Sequence, residues 1–184
     1  MRNAIIVHGK PSRDEFYDPA VPPPSSHHWL PWLAKQLLVR DIHAVRPEMP
    51  RPYAPDYPGW RREFERYDVD ARTLLVGHSC GAGFLVRWLS EHPRVRVGRV
   101  ALVAPWLDPD GVSAPDFFAF DLDPALTART QKIAVFTSDD DGDTILRSVD
   151  ILRDALPRAR FHELPGYGHF LQPDAPDVLA ALVD

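Results

Sequence analysis

The chain has 184 residues, of which 45% are hydrophobic, and its formal net charge is −5. This length corresponds to one domain, 1–184, with enough apolar side chains for a buried core. The negative charge argues against a nucleic-acid surface, and a single cysteine, Cys80, excludes an internal disulfide. Because the chain shows neither an apolar run of ~20 residues nor a signal-peptide pattern, we expect a cytoplasmic protein that binds neither nucleic acid nor a membrane.

Apolar runs and helical patterns alternate along the chain. Six apolar runs are predicted to be strands, at 3–8, 42–47, 72–77, 97–104, 132–138 and 159–164. Five segments with helical spacing of apolar residues are predicted to be helices, at 29–40, 57–67, 79–91, 143–156 and 175–183. Such alternation is typical of an α/β fold, in which helices cover both faces of a parallel sheet.

Two segments, 11–31 and 47–58, contain many of the 20 prolines and are predicted to be stiff loops. In the first, Phe16, Tyr17, Val21 and the three prolines 22–24 are candidates for one wall of a substrate pocket. The segment 106–129, with its Phe-Phe-Ala-Phe sequence, is a candidate for a second wall. The alternative for 106–129 is a surface crossover whose aromatic side chains simply cover the sheet.

A Gly-x-Ser-x-Gly sequence at 77–81 follows a short apolar run and precedes a helical pattern. A serine on a tight turn between a buried strand and a helix has a strained backbone, and the flanking residues crowd together. Gly77 and Gly81 suit such a turn because they carry no side chain that would clash. The turn lifts the Ser79 hydroxyl clear of the sheet, beside the first N–H groups of the helix. Ser79 is therefore the candidate nucleophile.

A serine nucleophile needs a base and an acid, and the chain has candidates for both in the order Ser, Asp, His. The acidic run 139–143 comes directly after the predicted strand 132–138, at the carboxyl edge where α/β sheets place their sites. His169 follows the last predicted strand in a glycine-flanked loop. Taken singly, the aspartates suit a solvated turn and His169 a loop position without a role. Because they follow a Gly-x-Ser-x-Gly sequence in the same chain, the aspartates and His169 together with Ser79 predict a catalytic triad.

Six segments of the chain carry a family resemblance, at 5–9, 28–33, 76–81, 100–105, 137–141 and 166–170. In these segments the chain resembles the small serine hydrolases related to retinoblastoma-binding protein 9 and its short bacterial relatives. His-Trp-x-Pro-Trp at 28–32 and Ser-x-Asp-Asp at 138–141 are the most specific of them. The resemblance implies a minimal α/β-hydrolase fold: a six-stranded parallel sheet of order 2-1-3-4-5-6 with helices on both faces.

The resemblance also implies which aspartate is the acid. In the family the second Asp of Ser-x-Asp-Asp is catalytic, which corresponds to Asp141. Thr144-Ile145 stands where Val-Pro is usual, so Asp140 stays open as the acid, followed by Asp143 and then Asp108. The aspartates of the run 139–143 that are not the acid are expected to cap the next helix.

Two backbone N–H groups are predicted to form an oxyanion hole. In the implied fold one donor is the residue after the nucleophile, Cys80, and the other lies in the loop after the first strand. Lys10 is the second donor, because Pro11 has no N–H. His8 and His78 are predicted to be packed histidines that brace the two loops. The chain shows no zinc-site spacing, no Gly-x-Gly-x-x-Gly and no P-loop, so neither a metal nor a cofactor is expected.

Ser79, His169 and Asp141 together predict a serine hydrolase that cleaves a small ester, thioester or amide through an acyl-enzyme. A carboxylesterase-like activity, EC class 3.1.1, is expected, with a small acyl compound as substrate and a monomer or small homo-oligomer as the assembly. The alternative is a protein-interaction module on a hydrolase fold, with little or no catalysis. The intact triad favours the enzyme, and no residue of the substrate pocket is assigned from the sequence.

Overall fold

A computed structural model describes residues 2–184 and contains one six-stranded sheet. Its strands are all parallel and lie in the order β2-β1-β3-β4-β5-β6. The sheet topology that the resemblance implied is confirmed. The strands are β1 (Arg2–Val7), β2 (Ile42–Val45), β3 (Leu74–His78), β4 (Val97–Val103), β5 (Thr130–Thr137) and β6 (Arg160–Glu163).

Six α-helices connect or follow these strands, and five of them lie where the sequence predicted a helix. They are α1 (Arg13–Tyr17), α2 (Leu30–Leu38), α3 (Tyr57–Phe64), α4 (Cys80–Glu91), α5 (Asp143–Ala155) and α6 (Pro176–Val183). None of the helices described for residues 2–184 is long and apolar enough to cross a bilayer.

Helix α1 was missed, because the segment 11–31 was predicted to be a stiff loop. The Ser12 side chain accepts a hydrogen bond from the Glu15 N–H, and the Glu15 carboxylate accepts one from the Ser12 N–H. This capping box satisfies two of the N–H groups at the start of a helix, so it stabilises even one turn between prolines. The Ser-x-x-Glu spacing at 12–15 was the available signal.

The two faces of the sheet bury separate apolar cores. Ile5 and Val7 on β1 point to the face covered by α3 and α4, whereas Ala4 and Ile6 point to the face covered by α2 and α6. Neighbouring residues of a strand point to opposite faces, and a parallel sheet covered on both sides is apolar on both. This arrangement explains why β1 and β3 are continuous apolar runs, and it fixes the carboxyl ends of both strands side by side.

The segment 106–129 packs against helices α3 and α4. Phe117 is 2% exposed and contacts Trp60 and Phe84, with ring centroids 5.1 and 6.3 Å away. Phe118 packs edge-on against Trp106. These aromatic side chains complete the apolar core on that side of the molecule. They pack against helices, whereas the crossover alternative expected them to cover the sheet.

Candidate active site

Ser79 occupies the turn between β3 and α4, with φ 52° and ψ −118°. This backbone conformation is strained for a residue other than glycine and persists where its surroundings hold it in place. A Cβ on Gly77 would lie 2.5 Å from the Ala82 Cα, and one on Gly81 would collide with the carbonyl oxygens of Val7 and His8. The two glycines therefore let the turn close against α4 and β1, as the sequence predicted.

A cavity of about 260 Å³ opens at the carboxyl edge of the sheet, and both Ser79 and His169 line it. Gly9, Lys10 and Glu15 line its side on the loop after β1, and Leu171 lines the side on the loop after β6. Carboxyl edges of parallel strands are where α/β folds place their sites. The two predicted residues are thus brought together from positions 90 residues apart in sequence.

Asp141 contacts the ring of His169. His169 Nδ1 lies 3.0 Å from both Oδ1 and Oδ2 of Asp141. An ionised carboxylate can only accept hydrogen bonds, so Nδ1 carries the ring proton and Nε2 of the neutral ring is a free acceptor. The Asp141 side chain is 4% exposed and that of His169 is 32% exposed. The carboxylate is thus shielded while the imidazole reaches solvent and the cavity.

Within residues 2–184, the Ser79 hydroxyl makes no hydrogen bond to His169. The two side chains share the cavity, and the His78 ring packs beside the His169 ring with their centroids 5.0 Å apart. Catalytic hydrogen bonds are often long without substrate and tighten in the reacting complex. The arrangement is therefore suited to a Ser-His contact once a substrate fills the cavity.

The other polar residues after β5 hold the loop that carries His169, a role that the sequence analysis missed. Asp139 accepts from the Gly166 N–H at 3.0 Å, and Asp140 accepts from the Gly168 N–H at 2.8 Å. The Ser138 hydroxyl donates to Asp140 at 2.5 Å. These bonds to Ser138 and Gly168 hold the pKa of the Asp140 carboxyl below its ordinary value. The expectation that Asp139 and Asp140 cap α5 is wrong, because their carboxylates face the histidine loop.

Two further aspartates, Asp143 and Asp108, lie away from His169. Asp143 pairs with Arg147 one helical turn later at 2.9 Å. Asp108 is 6% exposed and accepts from the N–H groups of Ser113 and Ala114. Asp108 therefore stabilises its own loop, and of the four aspartates considered as the acid only Asp141 contacts the histidine ring.

Trp29 and His78 anchor the same loop from the other side. The indole N–H of Trp29 donates to the Phe170 carbonyl at 3.0 Å, and His78 Nε2 donates to the His169 carbonyl at 2.9 Å. Both side chains are buried. The His-Trp sequence at 28–29 belongs to the family resemblance, and its indole fixes the backbone of the candidate base. His78 is a buried, packed histidine, as expected, and the loop that it braces is the one that carries His169.

The N–H groups of Lys10 and Cys80 donate to no other group among residues 2–184. Cys80 begins α4, where N–H groups have no partner within the helix, and Lys10 lines the cavity. Burial raises the pKa of the Cys80 thiol, so the side chain stays a neutral thiol while its backbone faces the turn. Neither N–H is therefore used by another group in this part of the chain, and of the two residues Lys10 lines the cavity while Cys80 lies next to Ser79.

The predicted walls of the substrate pocket are only partly observed. Pro24 lines the cavity with Ser79, but Phe16, Tyr17 and Val21 line a neighbouring groove. No residue of 106–129 lines the cavity. The segment 106–129 therefore does not form the second wall of this cavity. Its residues Phe117 and Phe118 pack in the core around α4 instead.

His78 provides a pH-dependent stability that can be measured. Burial, with a smaller effect from the nearby His169, lowers the pKa of His78 to about 3. The unfolded chain, with an ordinary histidine pKa of about 6.5, binds this proton more readily, so stability is fully present above that pH and falls as the pH decreases. We expect His78→Gln to reduce the slope of unfolding free energy against pH, below about pH 6, by up to ~1.4 kcal/mol per unit.

Urea unfolding of the two proteins between about pH 7 and pH 4.5 measures this slope. His43→Gln is the matched control, because His43 is exposed on β2 and should leave the slope unchanged. An identical slope in the wild type and in His78→Gln would contradict the neutral, buried state of His78.

Comparison with known proteins places the chain in a family. The family model described as "Serine hydrolase" matches residues 23–174. YdeN of Bacillus subtilis, a protein named as a hydrolase, is 28% identical over an alignment of 156 residues, and the match covers 80% of each chain. The structure of the ydeN gene product matches with a TM-score of 0.83 at 26% identity, covering 99% of this chain and 97% of that one.

A more distant structure shares the fold alone. Est1E of Butyrivibrio proteoclasticus, solved with ferulic acid bound, matches with a TM-score of 0.69 at 12% identity, covering 99% of this chain and 86% of that one. The sheet order and these matches establish the α/β-hydrolase fold. The match of the family model to most of the chain shows that this protein belongs to the serine hydrolase family.

Proposed function

We propose that the protein cleaves a small ester, thioester or amide through an acyl-enzyme on Ser79. His169 removes the proton from the Ser79 hydroxyl as it attacks the carbonyl carbon, and Asp141 orients the imidazole and stabilises its charged form. The single observation that carries the proposal is the pairing of His169 Nδ1 with the shielded Asp141 carboxylate, in the same cavity as Ser79. That pairing leaves Nε2 as the base.

With Nε2 of His169 as the base, the reaction has two stages, formation and hydrolysis of the acyl-enzyme. Attack by Ser79 gives a tetrahedral intermediate whose oxyanion accepts hydrogen bonds from the N–H groups of Lys10 and Cys80. His169 passes its proton to the leaving group, whose bond to carbon breaks and leaves the acyl group on Ser79. Water, activated by the same imidazole, hydrolyses the acyl-enzyme and restores the serine. No step requires a cofactor.

An ester is the proposed substrate bond, with a carboxylesterase-like activity. The cavity of about 260 Å³ suits a compact acyl group, and no cap of the segment 106–129 closes over it. We also propose, on the His-Trp-x-Pro-Trp and Ser-x-Asp-Asp sequences, that the chain is related to the retinoblastoma-binding protein 9 hydrolases. The residues that anchor the histidine loop, Trp29, Ser138 and Asp140, come from these two sequences.

The experiment that tests the proposal is reaction with a fluorophosphonate probe, which forms a stable adduct only with an activated serine. An enzyme is labelled at Ser79. A module that keeps the fold but works through a partner surface has no requirement for an activated serine, and it would stay unlabelled.

A further inference from the structure

A second cavity of about 540 Å³ lies beside the catalytic one, and it is called here the α1 groove. Its apolar lining includes Phe16, Tyr17, Val21 and Met49, which is 2% exposed, and three charged residues, Asp18, Glu48 and Arg51, also line it. Phe16 is 38% exposed and Tyr17 is 60% exposed, so two large apolar side chains remain in contact with solvent here. Apolar surface of this kind, in a concave site, is typical of ligand-binding grooves.

The α1 groove adjoins the cavity that contains Ser79. Pro24 lines both of them, and on α1 the adjacent residues Glu15 and Phe16 line the catalytic cavity and the groove respectively. Helix α1 and Pro24 are therefore the ridge between the two. A ligand that occupied both cavities would pass over this ridge.

The walls of the α1 groove are held in place before any ligand binds. The capping box of Ser12 and Glu15 fixes α1, and the hydroxyl groups of Tyr17 and Tyr53 lie 3.0 Å apart. The run of prolines 22–24, which also lines the groove, restricts the backbone that follows Val21. A preorganised site loses little conformational entropy on binding, so its apolar surface is available to stabilise a ligand.

The groove shares Pro24 with the catalytic cavity and shares no residue with the loop that carries His169. All of its lining residues come from 16–24 and 48–51, and none from the histidine loop. The leaving group must lie against His169 to receive its proton, so the substituent of the carbonyl carbon that points away from His169 is the acyl chain. We propose that the α1 groove binds the apolar, aromatic end of the substrate's acyl group, an inference that rests on the proposed function.

The test uses p-nitrophenyl esters, because a constant leaving group isolates the effect of the acyl chain. We expect kcat/KM for the 3-phenylpropionate ester to exceed that for the acetate by about tenfold or more, since even one methylene in an apolar pocket gives roughly 10–200-fold discrimination. Phe16→Ala should lower the ratio of the two values by about tenfold. Val21→Asp, which places a charge in the groove, should lower the same ratio. Leu38→Ala is the control, because Leu38 is equally apolar, 54% exposed and lines neither cavity.

The outcomes separate this inference from the proposed function. If hydrolysis depends on Ser79 but the ratio is the same in wild type, Phe16→Ala and Val21→Asp, the groove does not bind the acyl chain and the inference is wrong. If Phe16→Ala instead weakens discrimination between 2-phenylethyl acetate and ethyl acetate, the groove binds the alcohol portion and the inference is likewise overturned. If no ester is hydrolysed in a Ser79-dependent manner, the proposed function fails, and the inference fails with it.

Discussion

Replacement of Ser79 by Ala is expected to lower kcat/KM for p-nitrophenyl butyrate by at least about 10³-fold. The Ser79 hydroxyl is the group that forms the covalent bond, and the remaining N–H groups and cavity support only the slow attack of water. The measurement is release of p-nitrophenolate by equal amounts of wild type and variant, with melting temperatures compared to show that both are folded. Wild-type turnover by Ser79→Ala would contradict the mechanism.

His169→Ala should lose as much activity as Ser79→Ala, and the double variant should be little worse than either single one. Residues that act in the same proton transfer do not lose activity additively, because each is without effect when the other is absent. Additive losses in the double variant would mean that the two side chains do not work together. His43→Ala is a suitable control, because His43 lies on β2 with its side chain exposed.

Asp141→Asn is expected to lower kcat by about 10²–10⁴-fold with little change in melting temperature. An amide in place of the carboxylate can donate to Nδ1, which favours the wrong ring tautomer and removes the negative charge that stabilises the imidazolium. Asn has the same shape as Asp and keeps one oxygen that can accept the hydrogen bond from the Gly142 N–H. Most of the local packing is therefore preserved.

Asn substitutions at Asp140 and Asp143 distinguish chemistry from loop anchoring. Asp140→Asn keeps an oxygen that accepts from the Gly168 N–H, but it loses the negative charge that strengthens this hydrogen bond. We therefore expect a lower melting temperature and a decrease in kcat of no more than about tenfold. Asp143→Asn removes one exposed ion pair with Arg147 and should be nearly silent. A large kinetic loss in Asp140→Asn at unchanged melting temperature would identify Asp140 as the acid.

The sheet and the position of Ser79 were predictable from the sequence for a local reason. A continuous apolar run, a Gly-x-Ser-x-Gly turn and a helical pattern are each determined within a few residues, and their alternation with other strands leaves few topologies. The residues Asp141 and His169 were identified by their places after two strands, together with the family resemblance. Their contact at 3.0 Å confirms the predicted proximity of the two side chains, while the catalytic role of each stays a prediction.

What the sequence did not reveal depends on long-range contacts. Asp139 and Asp140 precede a helix, and the local rule predicts that such residues cap it. In the fold, β5 and β6 are neighbours, so these carboxylates meet the N–H groups of the loop after β6 instead. Trp29 is 141 residues from Phe170, whose carbonyl it binds, and no spacing rule connects them. Helix α1 was missed for the opposite reason, because prolines on both sides obscured a short local signal.

We claim that Ser79 is an activated nucleophile, and the mass of the protein after reaction with a fluorophosphonate tests this claim. The predicted result is one adduct per chain in the wild type, located on the peptide that contains Ser79. Ser79→Ala should remain unmodified, and His169→Ala and Asp141→Asn should react far more slowly than the wild type. Absence of an adduct in the folded wild type, or an adduct on a residue other than Ser79, would contradict the claim.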